Sequence, residues 1–143
     1  MGRIIKTDSI GKKRLKLERE VSLALRELLH QPEPSELTRD MAAFIGLALL
    51  EISETIDGTV AAWEKRNYWL KADRFRLDWE WTSRVGNVMC QAVLNEDWGS
   101  VARQAVEVAG RLKHVRLPTR HRLGTPWTGA WIELKRRSIA KQV

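Results

Sequence analysis

Apolar side chains recur every three, four or seven residues along much of the chain, and this periodicity constrains the fold more than any other feature. The clearest stripe contains Met41, Ile45, Leu49, Ile52 and Ile56. Residues at this spacing share one face of an α-helix, which has about 3.6 residues per turn. No segment alternates apolar and polar residues between turn signals, as a half-buried strand would. The sequence therefore predicts an all-α protein.

Turn-forming and capping residues divide the periodic regions into separate helices. Two prolines within residues 31–34 end the first helix, because proline disfavours helical backbone in the residue before it. Ser35 is a suitable N-cap for the second helix, and Asn67 suits a left-handed terminator at its end. Thr125 and Pro126 suit the start of a last helix. The predicted helices cover about residues 12–30, 36–66, 70–94, 97–115 and a final stretch from 125 onward.

Two stretches are less regular. Asp57-Gly58 is a turn signal that can interrupt the second helix, with Thr59 capping a restart, although the apolar stripe continues across it. The sequence leaves both alternatives open. Residues 1–11 lack periodicity and are predicted to form an extended N-terminal arm.

The predicted architecture is a single domain. A length of 143 residues is typical of one domain with its own core, and short connections between the second, third and fourth helices favour antiparallel neighbours. We expect an up-and-down antiparallel helical bundle of about four core helices over residues 12–115, within a domain that spans 1–143. A basic N-terminal arm precedes the bundle, and a basic loop with an amphipathic helix follows over 116–143.

The predicted third helix is apolar on two sides. Leu77, Trp81, Val85 and Val88 project roughly 160–280° away from Phe75 at 100° per residue. Such a helix lies either at the centre of the fold or against a second chain. The four residues are therefore a candidate partner-binding surface of an assembly or adaptor subunit, for a second copy or another helical protein.

The cysteine content and the hydropathy predict a cytoplasmic protein that does not enter a membrane. Cys90 is the single cysteine, so no intramolecular disulfide can form, as is usual in a reducing compartment. The longest apolar run, residues 41–50, is about half of the roughly 20 residues needed to span a bilayer. The charged N-terminus is not followed by the apolar run of a secretory signal.

Motifs for catalysis, metals and cofactors are weak. Glu27 and His30 form one Glu-x-x-His pair, whereas a di-metal site in a bundle needs two. Glu51, Glu54 and Asp57 cluster on the second helix but point away from its apolar stripe, which favours a solvated acidic face over converging metal ligands. Nucleophile and phosphate-loop motifs are lacking. We therefore expect no enzyme activity, no catalytic residues, no metal and no cofactor.

Charge is segregated along the chain. Residues 1–20 carry seven Lys/Arg and three Asp/Glu, residues 21–109 carry nine and fourteen, and residues 110–143 carry nine and one. Basic ends suit the neutralisation of phosphates with release of counterions. The candidate nucleic-acid-binding residues are Lys12, Lys13, Arg14, Lys16, Arg111, Lys113, Arg116, Arg120, His121, Arg122, Lys135, Arg136 and Arg137.

The charge pattern predicts a small nucleic-acid-binding protein, with RNA or a ribonucleoprotein preferred over DNA. Helix-turn-helix and zinc-finger patterns are not evident, and the planar groups of Arg120, His121 and Arg122 can stack on unpaired bases. A different partner fits the same charges. The basic ends can dock onto an acidic protein surface, including the acidic middle of this chain or of another copy.

Overall fold

The computed structural model describes the backbone of residues 7–141 and the side chains of residues 9–141. The described residues form six α-helices and no strand, which confirms the all-α prediction. The helices are α1 (Thr7–Leu29), α2 (Glu36–Lys65), α3 (Trp69–Trp79), α4 (Trp81–Leu94), α5 (Trp98–Arg111) and α6 (Ala130–Lys141).

The longest helix, α2, organises the bundle. It packs against α1, α3, α4 and α6, while α5 packs mainly against α4. Its buried residues lie on several sides of the helix, so it joins separate layers of the core. None of the helices within residues 7–141 is long and apolar enough to cross a membrane.

Local capping explains where α2 begins and ends. The hydroxyl of Ser35 accepts a hydrogen bond from the Thr38 amide, and the Ser35 amide donates to Thr38 Oγ1, which completes a capping box. Asn67, with φ of 64°, ends the helix in the left-handed conformation. Both positions agree with the prediction.

The structure resolves the alternative at Gly58, because α2 continues through it without a break. Thr59 and Val60 directly follow Gly58 in the chain and are buried, so packing against the core stabilises the helix at this point. A Cβ at Gly58 would lie 3.3 Å from Cδ1 of Ile10, which shows how closely α1 approaches at this point.

Two glycines allow α2 and α4 to cross at close range. A Cβ on Gly46 would lie 2.7 Å from Sγ of Cys90 and 3.3 Å from the carbonyl oxygen of Gly86. A Cβ on Gly86 would in the same way meet the carbonyl oxygen of Gly46 at 3.1 Å. The backbones therefore touch where neither helix has a side chain.

The predicted third helix is two helices. Residues 70–94 were expected to be continuous, but α3 ends at Trp79 and α4 begins at Trp81. Thr82 Oγ1 donates a hydrogen bond to the carbonyl oxygen of Trp79 at 2.7 Å, and Ser83 Oγ donates to that of Glu80 at 3.2 Å. Side-chain hydroxyls that bond to carbonyl oxygens of the preceding turn compete with the backbone hydrogen bonds of the helix.

The break changes the predicted partner-binding surface. Trp81 and Val85 are 4% and 0% exposed, so they belong to the core and the prediction is wrong for these two residues. Leu77 on α3 and Val88 on α4 are 65% and 39% exposed. The four residues do not form one exposed face, because Trp81 and Val85 are buried while Leu77 and Val88 are exposed on different helices.

Three helix boundaries also differ from the prediction. α1 begins at Thr7, so residues 7–11 are helical where an extended arm was expected, and the rest of that arm lies outside the described residues. α5 ends at Arg111. The last helix begins at Ala130, after a turn over residues 126–129 that contains buried Trp127.

Candidate nucleic-acid interface

The chain that follows α5 lies along α1. His114 Nε2 and Glu18 Oε1 are 3.3 Å apart, and Arg26 Nη1 donates a hydrogen bond to the carbonyl oxygen of Pro118 at 3.3 Å. Glu18 and Arg26 are about 12 Å apart along the helix axis at 1.5 Å per residue. Part of the predicted C-terminal basic set is therefore a neighbour of the N-terminal set.

A cleft of about 540 Å³ lies between the first half of α1, the end of α3 and the segment after α5, and is named the α1–α5 cleft here. It carries two cations of the predicted N-terminal set, the Trp79 ring, the Glu18 carboxylate and His114. Its lining residues are Gly11, Lys12, Arg14, Leu15, Glu18, Trp79 and His114.

The carboxylate in this cleft is almost fully buried. Glu18 is 4% exposed, whereas its partner His114 is an exposed residue. Burial raises the pKa of Glu18 above its usual value, although the hydrogen bond and charge of His114 and the charge of Arg14 act in the opposite direction. Glu18 thus holds the segment after α5 against α1 at some electrostatic cost.

The assignment of Arg14 to nucleic-acid binding is corrected by the structure. Its guanidinium donates hydrogen bonds to Thr55 Oγ1 at 3.1 Å, to the Thr55 carbonyl oxygen at 3.2 Å and to Thr59 Oγ1 at 2.6 Å. It also lies 4.9 Å from the centre of the Phe75 ring. Because its donors are used within the protein, Arg14 fastens α1 to α2 and α3.

Lys13 and Lys16 face the acidic side of α2. Lys13 lines a shallow cleft together with Glu54. Burial raises the pKa of Glu20, the charge of Lys16 lowers it and that of Glu51 raises it. These cations therefore partly neutralise the acidic middle of the same chain, as one of the sequence alternatives supposed.

The exposed cations after α5 are better placed to bind an anion. Lys113, Arg116, Arg120 and Arg122 are exposed, and none of them forms an ion pair with another described residue. His121 is different, because its ring is half-buried and Nδ1 accepts a hydrogen bond from the Leu123 amide at 3.2 Å. The His121 ring therefore makes its hydrogen bond within its own loop.

The basic residues of α6 lie on another side of the bundle. Arg111 at the end of α5 lies 5.8 Å from the ring of Trp81, whereas Arg137 acts electrostatically on Cys90. Trp81 and Cys90 are about two and a half turns apart on α4 and so point in opposite directions. The C-terminal basic residues therefore form two surfaces.

Internal contacts occupy the cations of α6. Arg136 and Arg137 both donate hydrogen bonds to Glu133, and these bonds lower the pKa of that carboxyl to about 2. Lys135 Nζ lies 5.6 Å from the ring of Trp131. All three predicted residues are exposed, but two of them already have a carboxylate partner.

Sequence reasoning missed an aromatic cleft at the α2–α3 turn, named the α2–α3 corner here. It contains the half-exposed rings of Tyr68 and Trp69, next to Lys71 and Arg74. The signal was two adjacent aromatic residues in a tight turn flanked by cations. Such residues can also plug the end of a bundle, but here both are about half exposed to solvent.

No group of three or more His, Cys, Asp or Glu side chains within the described part of the chain could hold a metal ion. Glu51 is half-buried and Glu54 is exposed. Burial raises the pKa of the Cys90 thiol to about 11, which disfavours the reactive thiolate form at neutral pH.

Comparisons with protein-family profiles, curated protein sequences and solved structures found no match for this chain. Its class therefore follows from its own fold and surface. The protein is an all-α bundle with exposed cations on the segment after α5, which lies along α1, and with an aromatic cleft at the turn between α2 and α3.

Proposed function

We propose that this protein binds single-stranded nucleic acid, RNA in preference to DNA, without acting as an enzyme. The proposed surface, called the cationic face, consists of Lys12, Arg111, Lys113, Arg116, Arg120 and Arg122. The observation that carries the proposal is the position of the segment after α5, which presents its exposed cations along one side of α1.

Counterion release provides the affinity. Exposed lysine and arginine side chains that neutralise phosphates release condensed counterions, whatever the base sequence. A surface of four to six cations suits a short stretch of backbone. The preference for a single strand rests on the sequence, which has no evident helix-turn-helix or zinc-finger pattern for reading a major groove.

The first experiment measures fluorescence anisotropy with a labelled single-stranded RNA and a duplex DNA at about 50 and 200 mM salt. Neutralisation of about four to six phosphates on a single strand should lower the affinity roughly 50- to 300-fold across this range. Tighter binding of RNA than of duplex DNA supports the proposal. No binding at the lower salt concentration overturns it and assigns the basic residues to an acidic protein surface.

A pair of charge reversals tests the location. Lys113→Glu with Arg116→Glu removes two exposed cations from the cationic face, whereas Lys135→Glu with Lys141→Glu makes the same change in net charge on α6. We expect the first variant to lose about tenfold or more in affinity at 50 mM salt, and the second to lose much less. Equal losses would show a general effect of net charge and contradict the assigned face.

The assembly-subunit alternative has lost its structural basis at two of four residues. Trp81 and Val85 are core residues, and their exposure to a partner would require α4 to leave the bundle. Leu77 and Val88 remain exposed on different helices, α3 and α4. Sedimentation velocity tests this alternative directly, since a dimer that Leu77→Ala or Val88→Ala dissociates would restore it.

A further inference from the structure

The α2–α3 corner is an open cleft of about 740 Å³. This volume is within the range of small-molecule binding sites, which is about 300–1,000 Å³. Four of its lining residues are aromatic and two are cations with exposed side chains. Its aromatic and basic lining residues are Trp63, Tyr68, Trp69, Lys71, Arg74 and Phe75.

The outer aromatic residues lack the cover that a core would provide. Tyr68 is 51% exposed, Trp69 is 56% exposed and the adjacent Leu70 is 70% exposed. The turn explains their position, since Asn67 in the left-handed conformation reverses the chain and points the next residues away from the bundle. Exposed tryptophan and tyrosine in one cleft mark a binding surface more often than a packing surface.

The inner wall of the cleft is ordered by aromatic packing. Trp63 and Phe75 meet edge to face with ring centres 5.0 Å apart. Lys71 Nζ lies 4.4 Å from the centre of the Trp63 ring. A ligand that enters the cleft therefore meets the packed rings of Trp63 and Phe75 on the inner wall. The exposed rings of Tyr68 and Trp69 lie at its opening.

The charge balance of the rim favours an anion. Arg76 pairs with Glu64 at 3.2 Å and with Asp73 at 2.7 Å, so one positive charge offsets part of the negative charge of these two carboxylates, neither of which lines the cleft. Lys71 and Arg74 remain on the rim, with Asp78 as the one carboxylate that lines the cleft. Rings that can stack, together with rim cations, fit a base and its phosphate.

We propose that the α2–α3 corner binds an unpaired nucleobase of single-stranded RNA, with Tyr68 and Trp69 stacking on the base and Lys71 and Arg74 contacting the flanking phosphates. This inference rests on the proposed function and adds a base-stacking site to its phosphate-binding face. Stacking on aromatic side chains is tolerant of base identity, because every base has a π-face.

One strand can reach both sites along α3. Phe75 in the corner lies under Arg14, and Trp79 one turn further on lines the α1–α5 cleft. Trp69 and Trp79 are about 15 Å apart at 1.5 Å per residue. This distance equals roughly four nucleotides at about 3.4 Å per stacked nucleotide, so a short strand can run from the corner to the α1–α5 cleft.

The test compares a labelled 12-nucleotide RNA with an abasic oligomer of the same sugar-phosphate backbone. We expect the wild type to bind the RNA on the order of 10- to 100-fold more tightly, as stacking of one or two bases would give. Tyr68→Ala with Trp69→Ala should lose that factor for RNA and leave the affinity for the abasic oligomer unchanged. Trp69→Phe should retain most of it.

Leu77→Ala is the matched control, because Leu77 is a similarly exposed apolar residue on α3 outside the cleft. It should leave both affinities unchanged. All substituted residues are exposed, and an unchanged circular-dichroism melting curve checks that each variant is folded.

The outcomes separate the two proposals. Equal affinity of the wild type for RNA and for the abasic oligomer, or no loss in the Tyr68→Ala, Trp69→Ala variant, overturns the stacking site and leaves the phosphate-binding proposal standing. Loss in that variant without loss in Lys113→Glu, Arg116→Glu supports the corner and contradicts the cationic face. A wild type that binds neither oligomer overturns both.

Discussion

At the scale of single residues, the polar groups in the first half of α1 hold the bundle together. Arg14 bonds to two threonines of α2 and lies over the Phe75 ring. Glu18 is buried beside His114. Arg14 and Glu18 belong to a basic stretch of the sequence, but in the fold they are structural residues.

Replacement of Arg14 should destabilise the protein. In Arg14→Met the apolar stem remains, but Thr55 and Thr59 lose a charged donor, which costs about 1–3 kcal/mol. Lys13→Met is the control, since an exposed lysine nearby should change the stability by less than about 0.5 kcal/mol. Urea unfolding followed by circular dichroism measures both, and equal midpoints would refute the structural role of Arg14.

Glu18 should make stability fall as pH rises. Its pKa in the folded protein is raised above a usual value of 4.5, so the folded state retains this proton at a pH where the unfolded state has released it. The stabilisation by the protonated form is present below about pH 4.5 and is lost as pH rises through the folded-state pKa.

Glu18→Gln removes this ionisation while it keeps an acceptor for His114. We expect the variant to be at least as stable as the wild type at pH 7, and to lack the decline above pH 4.5. Urea midpoints between pH 4 and 8 provide the comparison. A variant clearly less stable at pH 7 would show that the pair of carboxylate and His114 stabilises the fold.

At the scale of helices, close approach of the α2 and α4 backbones defines the centre of the bundle. The helices cross at Gly46 and Gly86. A Cβ added to either glycine would lie against the carbonyl oxygen of the other. Backbone oxygens cannot move aside as the end of a flexible side chain can. Any added atom must therefore separate the helices.

Gly46→Ala should destabilise the protein by about 1–3 kcal/mol through overpacking, although alanine is the better helix former. Gly110→Ala is the control, because a Cβ on Gly110 meets nothing within 4 Å. It should be neutral or stabilise by up to about 1 kcal/mol. Thermal unfolding of both variants tests this, and a Gly46→Ala protein as stable as Gly110→Ala would contradict the tight crossing.

At the scale of the whole molecule, burial is unequally distributed among the helices. α2 has buried residues along its length and contacts four other helices, whereas Ala72 is the one fully buried residue of α3. A helix with few buried contacts opens at lower free energy than the rest of the fold. The proposed base-stacking corner thus lies at the start of a helix with a single fully buried residue.

Hydrogen exchange should show this difference. We expect α3 amides to exchange faster than those of α2 and α4 in the free protein, as measured by mass spectrometry on peptides that cover each helix. Addition of saturating single-stranded RNA should slow exchange in α3 if the corner is occupied. Equal protection of α2 and α3 in the free protein would show that α3 does not open independently.

The sequence by itself determined the helical class, most helix positions and the termini of α2. These features depend on local interactions, because the 3.6-residue period, the capping box at Ser35 and the left-handed Asn67 each involve residues within a few positions of one another. It also determined the segregation of charge, which needs no structure to be counted.

The tertiary structure alone decided which cations are free, which aromatic rings are open and where the predicted third helix divides. Arg14 bonds to Thr55 and Thr59 more than forty positions away, and Trp81 is buried in the core although the sequence left it open to a partner. Helical periodicity shows which residues share a face but not what covers that face. Contacts between distant segments depend on how each helix is rotated and packed, and this information is spread over the whole chain.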